Sequence, residues 1–261
     1  MHLLLLGTVL ASVAVGGPRW EVVHLGDTGE GSLRNAIELA NAAGTGEIGF
    51  AGLDGVIQVG SPLPTLAANV RLVGPTNRSI TLSGAGQHAL LSVASGVTVE
   101  ISRLTFTLAR ASQPRHGSAL SNAGSLRLLH CRFEGNTNEL GWGGAIYSEG
   151  DLLIQDSVFQ NNAALGTPGT PGRTPNVPHR SFGGGAGAGG SGMGGAVYQA
   201  RGTLDLLRCE FLNNTARGGS GIVPPSPPLM IEMEGGLGGK AYGGALFCFD
   251  GTTRIVGCRF T

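Results

Sequence analysis

The chain has 261 residues, 47 of them Gly, with 41% hydrophobic, 5% aromatic and 13% charged side chains; glycine is more than twice its usual ~7% share and charge about half its usual ~25%. Seventeen Lys+Arg balance 17 Asp+Glu, so the net charge is zero and no electrostatic footprint for nucleic acid or an anionic membrane is present. A coiled coil and charge-driven disorder are excluded as well; apolar residues interleaved with so much Gly fit many short strands, hence an all-β chain.

Taken in chain order, Met1 to Val15 is an apolar run ending in the small-x-small triplet Ser12-Val13-Ala14. It is too short to span a bilayer and reads as a secretory signal peptide over 1–16, although no Lys or Arg precedes it. A secreted or cell-surface (outer-membrane) location is the expectation, and no other segment approaches transmembrane length. Gly26-Asp27-Thr28-Gly29-Glu30-Gly31 sits before a helical pattern, as a phosphate loop would. No Lys precedes Ser32, however, and Asp27 and Glu30 would repel phosphate, so the segment reads as a loop leading into a helix. Leu33, Ala36, Ile37 and Ala40 recur at helical spacing, with Ser32 as N-cap and Gly44 as stop. They predict a short amphipathic helix that covers an exposed sheet edge. An opening strand and cap helix are assigned to 17–50, and stacked coils to 51–261.

The main signal is a repeat of an alternating apolar run, Phe-x-x-Asn, and then Gly-Gly-Ala-aliphatic-aromatic. Phe133 with Asn136, Phe159 with Asn162, and Phe211 with Asn214 are the Phe-x-x-Asn copies. Gly143-Gly144-Ala145-Ile146-Tyr147, Gly194-Gly195-Ala196-Val197-Tyr198 and Gly243-Gly244-Ala245-Leu246-Phe247 are the second half, with a degraded copy at Gly117-Ser118-Ala119-Leu120. Phe106 and Phe260 extend the series at both ends. Phe133 to Phe159 is 26 residues, and the next intervals, 52 and 49, are one period plus an insertion.

One period predicts one coil of a solenoid. The fifth residue before each Phe is Ile101, Leu128, Ile154, Leu206 or Ile255, and the seventh is Val99, Leu126, Leu152, Leu204 or Thr253. Positions two apart share a strand face. The second residue back, Leu104, Cys131, Ser157, Cys209 or Cys258, shares a face with the Phe, so two short strands meet at a bend between. Coils stacked about 4.8 Å apart superpose these positions into internal ladders. Each Asn is read as a turn residue that tolerates left-handed angles and bonds its equivalent in the next coil. The paired glycines permit close backbone approach.

Cys131, Cys209, Cys248 and Cys258 are dispersed and form no Cys-x-x-Cys pair, which argues against a zinc site. Cys209 and Cys258 fall in one column, but like-facing stacked residues hold their Cβ atoms wider apart than a disulfide prefers, so buried free thiols are favoured. Cys248 has no evident partner. Segments 163–192 and 217–241 interrupt the coils with Pro/Gly-rich sequence and read as long loops leaving one corner of the solenoid. The chain stops inside a repeat at Cys258-Arg259-Phe260-Thr261, so coils are expected to continue past it; the open end is either capped by further sequence or exposed, and whether a C-terminal anchor or outer-membrane barrel follows is left open.

The Gly-Gly-Ala-Ile and Phe-x-x-Asn pairing resembles the repeat of polymorphic outer-membrane proteins, autotransporter-type surface proteins. The Ser32-Leu33-Arg34-Asn35-Ala36-Ile37 stretch resembles the start of bacterial β-helix surface proteins, where a helix closes the first coil. Ser61-Pro62-Leu63-Pro64-Thr65-Leu66 and Val70-Arg71-Leu72-Val73-Gly74-Pro75 are similar to that group's early coils. The resemblance implies a single-stranded right-handed parallel β-helix of the pectin-lyase-like kind, with a short N-terminal capping helix and two long Gly/Pro-rich insertions. It implies a surface location and says little about activity, because parallel β-helices host lyases, glycosidases and adhesins alike.

An enzyme on this fold would gather outward acids on neighbouring coils. The third residue before each Phe offers Arg103, His130, Asp156 and Arg208, and the trio His130, Asp156 and Arg208 is the candidate acid-base set of a secreted polysaccharide lyase or glycoside hydrolase. The competing reading is a solvated ladder of alternating charge, which Glu100 with Arg127, Asp205 with Arg254, and Glu210 with Arg259 repeat elsewhere. The favoured expectation is a non-catalytic surface scaffold or adhesin without cofactor or metal, with glycans or cell-surface proteins as partners.

Overall fold

Strands of two to six residues bounded by turns satisfy their backbone groups only by pairing with a neighbour. In the computed structural model they pair in parallel, each with the equivalent strand one coil away. The structure describes residues 17–111, 117–170, 188–221 and 237–261. The signal-peptide reading at 1–16 and the middles of both insertions, 171–187 and 222–236, lie outside the described residues.

The result is a parallel β-helix whose faces are long sheets. The first sheet has eight strands: Arg19–Val22, Thr45–Phe50, Asn69–Val73, Thr98–Ser102, Ser125–Leu129, Asp151–Gln155, Thr203–Leu207 and Thr252–Val256. The second has seven, from Gly55–Gln58 through Arg132–Glu134 and Val158–Gln160 to Arg259–Phe260. The third has five, including Leu120–Asn122, Ile146–Ser148, Val197–Gln199 and Leu246–Cys248. A fourth sheet of four short strands, Arg110–Ala111, Thr137–Asn138, Ala163–Leu165 and Thr215–Arg217, follows the second sheet in four successive coils.

Parallel register turns the repeat into columns. Leu72, Ile101, Leu128, Ile154 and Leu206 are successive partners in the first sheet and are fully buried. In the second sheet Phe106, Phe133, Phe159, Phe211 and Phe260 are successive partners. Their rings stack face to face with centroids 4.6–4.8 Å apart, the spacing that pairing imposes on strands. The outward column of the first sheet alternates in sign. Arg19, Glu47, Arg71, Glu100 and Arg127 are joined by ion pairs of 3.0, 2.9, 3.2 and 3.8 Å. Asp205 is the register partner of Arg254, and Glu210 of Arg259.

The single described helix, α1, spans Leu33–Ala43. The Ser32 hydroxyl accepts from the Asn35 N–H, and Gly44 ends the helix in the left-handed conformation at φ 76°. Leu33, Ala36, Ile37 and Ala40 are buried against the first coil. The loop before the helix is held from within. Asp27 takes Arg34 at 2.8 Å on one oxygen and the Gly60 N–H at 3.2 Å on the other, while Arg34 donates to the carbonyls of Ser61 and Pro62. Asp27 of the loop and Arg34 of the helix are thus both engaged in joining the cap to the first coils.

Candidate functional site

The motif residues build the corners from which any surface site is hung. At the Phe-x-x-Asn corner the left-handed residue is the one before the Asn: Gly135, Asn161 and Asn213 have φ of 64°, 56° and 51°. The expectation that each motif Asn is itself the left-handed residue is therefore corrected. Asn136, Asn162 and Asn214 instead point inward as an amide ladder. Asn136 Nδ2 donates to Asn162 Oδ1, and Asn162 Nδ2 to Asn214 Oδ1, both at 2.9 Å. The same oxygens accept the backbone N–H of the preceding Asn at 3.1 Å, and the amides donate on to the carbonyls of Phe106, Phe133 and Phe159.

At the Gly-Gly corner the first glycine is left-handed, with φ of 67° at Gly143 and 62° at Gly194. The second is pressed against the next coil: a Cβ on Gly144 would lie 1.9 Å from the Gly195 carbonyl oxygen, and one on Gly195 equally close to that of Gly244.

The bend between the first and second sheets carries the candidate trio. His130, Asp156 and Arg208 have φ of 53°, 49° and 51° and occupy equivalent turns on consecutive coils, with Arg103 (55°) before them and Gly257 (64°) after. The structure thus brings the three into one outward column. Arg208 grips Asp156 through two hydrogen bonds of 2.7 and 2.8 Å. That grip holds the Asp156 carboxyl below its ordinary range, with Gln155 and, more weakly, His130 acting in the same direction against partial burial. Asp156 is consequently an ionised, neutralised partner rather than a proton reservoir near neutral pH.

The inward neighbours of this bend are the cysteine column. Cys131 and Cys209 are buried, Cys248 and Cys258 half-buried, and all four are free thiols. The Cys209 N–H donates to Cys258 Sγ at 3.3 Å, and the Cys131 N–H to Ser157 Oγ at 3.0 Å, so the column supplies acceptors to the backbone of the preceding coil. Burial pushes the Cys131 thiol up to about 11 and that of Cys209 to about 12, which leaves both protonated and poor nucleophiles. Cys248, without an evident partner in the sequence, accepts from Thr253 Oγ1 at 3.2 Å.

Two surface features were not legible as sites. A shallow groove of about 480 Å³ runs along the corner between the third and first sheets, over Gly96, Gly124, Gly150 and Gly202. Its polar walls include Glu149, Asp151, Arg201, Thr98 and Ser125. Arg201 reaches Glu149 at 3.2 Å, and Asp151 Oδ1 accepts from Thr203 Oγ1 at 2.7 Å. Gly124, Gly150 and Gly202 hold equivalent positions just before the first-sheet strand on successive coils, with Val97 at that position one coil earlier, and this three-glycine column was the signal for the groove. The second feature is the last motif position, which lies outside the coil interior but is largely covered. Tyr147, Tyr198 and Phe247 form an aromatic column with 5.4 Å between successive centroids, flanked by Trp142 at 6.3 and 6.0 Å from the two tyrosines, and both tyrosines are buried.

Among the described residues no three His, Cys, Asp or Glu side chains are grouped to hold a metal ion, and no helix is long and apolar enough to cross a membrane. No curated protein matches the chain. A family model does: the Chlamydia polymorphic membrane protein repeat matches residues 130–149, the stretch from the bend residue His130 through Phe133, Asn136 and the Gly143-Gly144 pair to Glu149. This repeat, on a rod of stacked parallel strands, is the pattern of a β-helix surface protein.

Proposed function

We propose that the protein is a non-catalytic β-helix scaffold exposed at the outer-membrane surface, which recognises glycans or proteins of other cells through its coil faces and insertions. The observation that carries this reading is the placement of the two long excursions. Ala163–Leu165, where the first leaves, pairs with Thr215–Arg217, where the second leaves; Gly192–Met193 and Ala241–Tyr242, where they return, pair with each other. A rigid rod thus presents two insertions from one side, and loops on a rigid scaffold are where binding concentrates. The groove of Glu149, Asp151 and Arg201 adds donors and acceptors suited to a hydroxyl-rich ligand. Charges over the outward faces are paired across coils, Asp156 with Arg208 among them, which supports recognition over chemistry.

The test is deletion of 171–187 and 222–236, each replaced by a short Gly-Ser link, in the purified chain. The expected result is an unchanged β-rich circular-dichroism spectrum with reduced adhesion to cells or immobilised glycans. Cleavage of uronate-rich polysaccharide by the intact chain, abolished by Asp156→Ala without unfolding, would replace this reading by that of a secreted lyase or hydrolase.

A further inference from the structure

The described ends of the two insertions do not leave the rod as independent loops. The outgoing segments are 166–170 and 217–221, and the returning segments are 188–192 and 237–240. The outgoing pair is bonded by the Gly166 N–H to the Arg217 carbonyl at 2.7 Å and the Gly169 N–H to the Ser220 carbonyl at 2.8 Å. The returning pair is bonded by Gly189 to Leu237 at 2.9 Å and Gly192 to Lys240 at 2.8 Å. More unusual are the bonds between the two pairs. The Gly190 N–H donates to the Thr167 carbonyl at 2.7 Å, Gly219 to Gly190 at 2.8 Å, and Gly239 to Gly219 at 2.7 Å.

Stacked sheets ordinarily lie about 10 Å apart because side chains fill the space between them. Direct backbone bonds from one layer to the other require that space to be empty. Glycine empties it: a Cβ on Gly219 would stand 1.9 Å from the Thr167 carbonyl oxygen, and one on Gly239 would stand 1.8 Å from that of Gly190. One on Gly166 would stand 2.0 Å from the same Gly190 oxygen. The series Thr167, Gly190, Gly219, Gly239 runs first insertion, first insertion, second, second, so the chain of bonds ties the two together at its middle link.

We propose that these four segments form one glycine stem, and that the two insertions are therefore a single mechanical element that engages its partner as a unit. The second clause rests on the recognition reading above; the stem does not. Two contact segments fixed side by side raise each other's effective concentration at a partner surface, so loss of either is expected to cost most of the binding.

Native-state hydrogen exchange on the intact chain tests the stem directly. The amides of Gly190, Gly219 and Gly239 should exchange about a hundredfold or more slower than an unstructured chain; exchange at unstructured rates overturns the proposal. Gly219→Val then tests the coupling. Its solenoid spectrum should be retained, while amide exchange accelerates about tenfold both at Gly190 in the first insertion and at Gly239 in the second. Acceleration confined to the second insertion would show that the stems are separate. Should Gly219→Val lose the solenoid spectrum, the exchange measurement on the unaltered chain still decides. Protected stem amides in a chain whose adhesion survives removal of both insertions would sink the recognition reading and leave the stem standing.

Discussion

A single inward Asn shows how little slack a coil interior has. Asn162 Oδ1 accepts both the N–H and the side-chain amide of Asn136, and its Nδ2 serves Asn214 and the Phe133 carbonyl. Asn162→Ala therefore orphans several buried polar groups at once, each costing on the order of 1–3 kcal/mol. Chemical denaturation should show a fall in midpoint larger than a surface Asn→Ala change produces; an equal midpoint would mean that water replaces the amide. Asp156 makes the opposite case, an outward residue whose value depends on pH. Its carboxyl is held below its ordinary value, chiefly by the hydrogen bonds from Arg208, so the pair contributes stability above the unfolded-state value. That contribution is lost as pH falls through the depressed folded-state value. Asp156→Asn, which keeps a side chain tolerant of the left-handed turn, should lower the midpoint at neutral pH, and its gap to the unaltered chain should narrow as pH falls through and below the ordinary carboxylate range. A gap that stays constant over that range would sever Asp156 from the acid dependence.

At the scale of the element, a strand only three residues long is held by what its one inward side chain meets. Val158–Gln160 buries Phe159, whose ring lies 4.6 Å from that of Phe133 and 4.8 Å from that of Phe211. Phe159→Ala would open a cavity between two rings that the strand spacing prevents from closing, at a cost of roughly 3–5 kcal/mol. An unchanged urea midpoint would show that the neighbouring coils collapse into the gap. The Gly-Gly corner that leads into the third sheet is limited by space as well as torsion, since a Cβ at Gly195 would fall 1.9 Å from a backbone oxygen. This is why the motif ends in Ala before its aliphatic residue: Ala145 and Ala196 are fully buried where the corner is tightest.

The whole molecule is a one-dimensional stack in which each coil leans on its neighbours. Strands Ser125–Leu129 and Asp151–Gln155 are paired on both sides within the eight-stranded sheet, whereas Gly192–Met193 and Ala241–Tyr242 form a sheet of two strands. Amide exchange should therefore be slower in Ser125–Leu129 and Asp151–Gln155 than in the two-stranded sheet. Equal protection in the two would mean that the rod opens only as a whole.

Much of the fold was determined by sequence alone, because a stacked coil repeats its environment and so repeats its residues. The Leu/Ile, Phe and Cys/Ser columns, the Ser32 and Gly44 caps of α1, and the complementary pair Glu100 and Arg127 were all readable from spacing. The amide ladder was half readable: Asn in the Phe-x-x-Asn motif does bond its equivalent, but which residue of the corner turns left-handed depends on which side chain the coil draws inward. Only the tertiary structure decided what successive turns do together. It left a trough beside glycines that stand far apart in the chain and packed the described ends of the Gly/Pro-rich segments into a bonded stem, whereas the pairing of Asp156 with Arg208 across 52 residues was already readable as a ladder of alternating charge. Composition marks those segments as unable to form a core, because it counts side chains. Their order comes instead from backbone groups that meet where side chains are missing, and which backbones meet is set by the stacking of the coils.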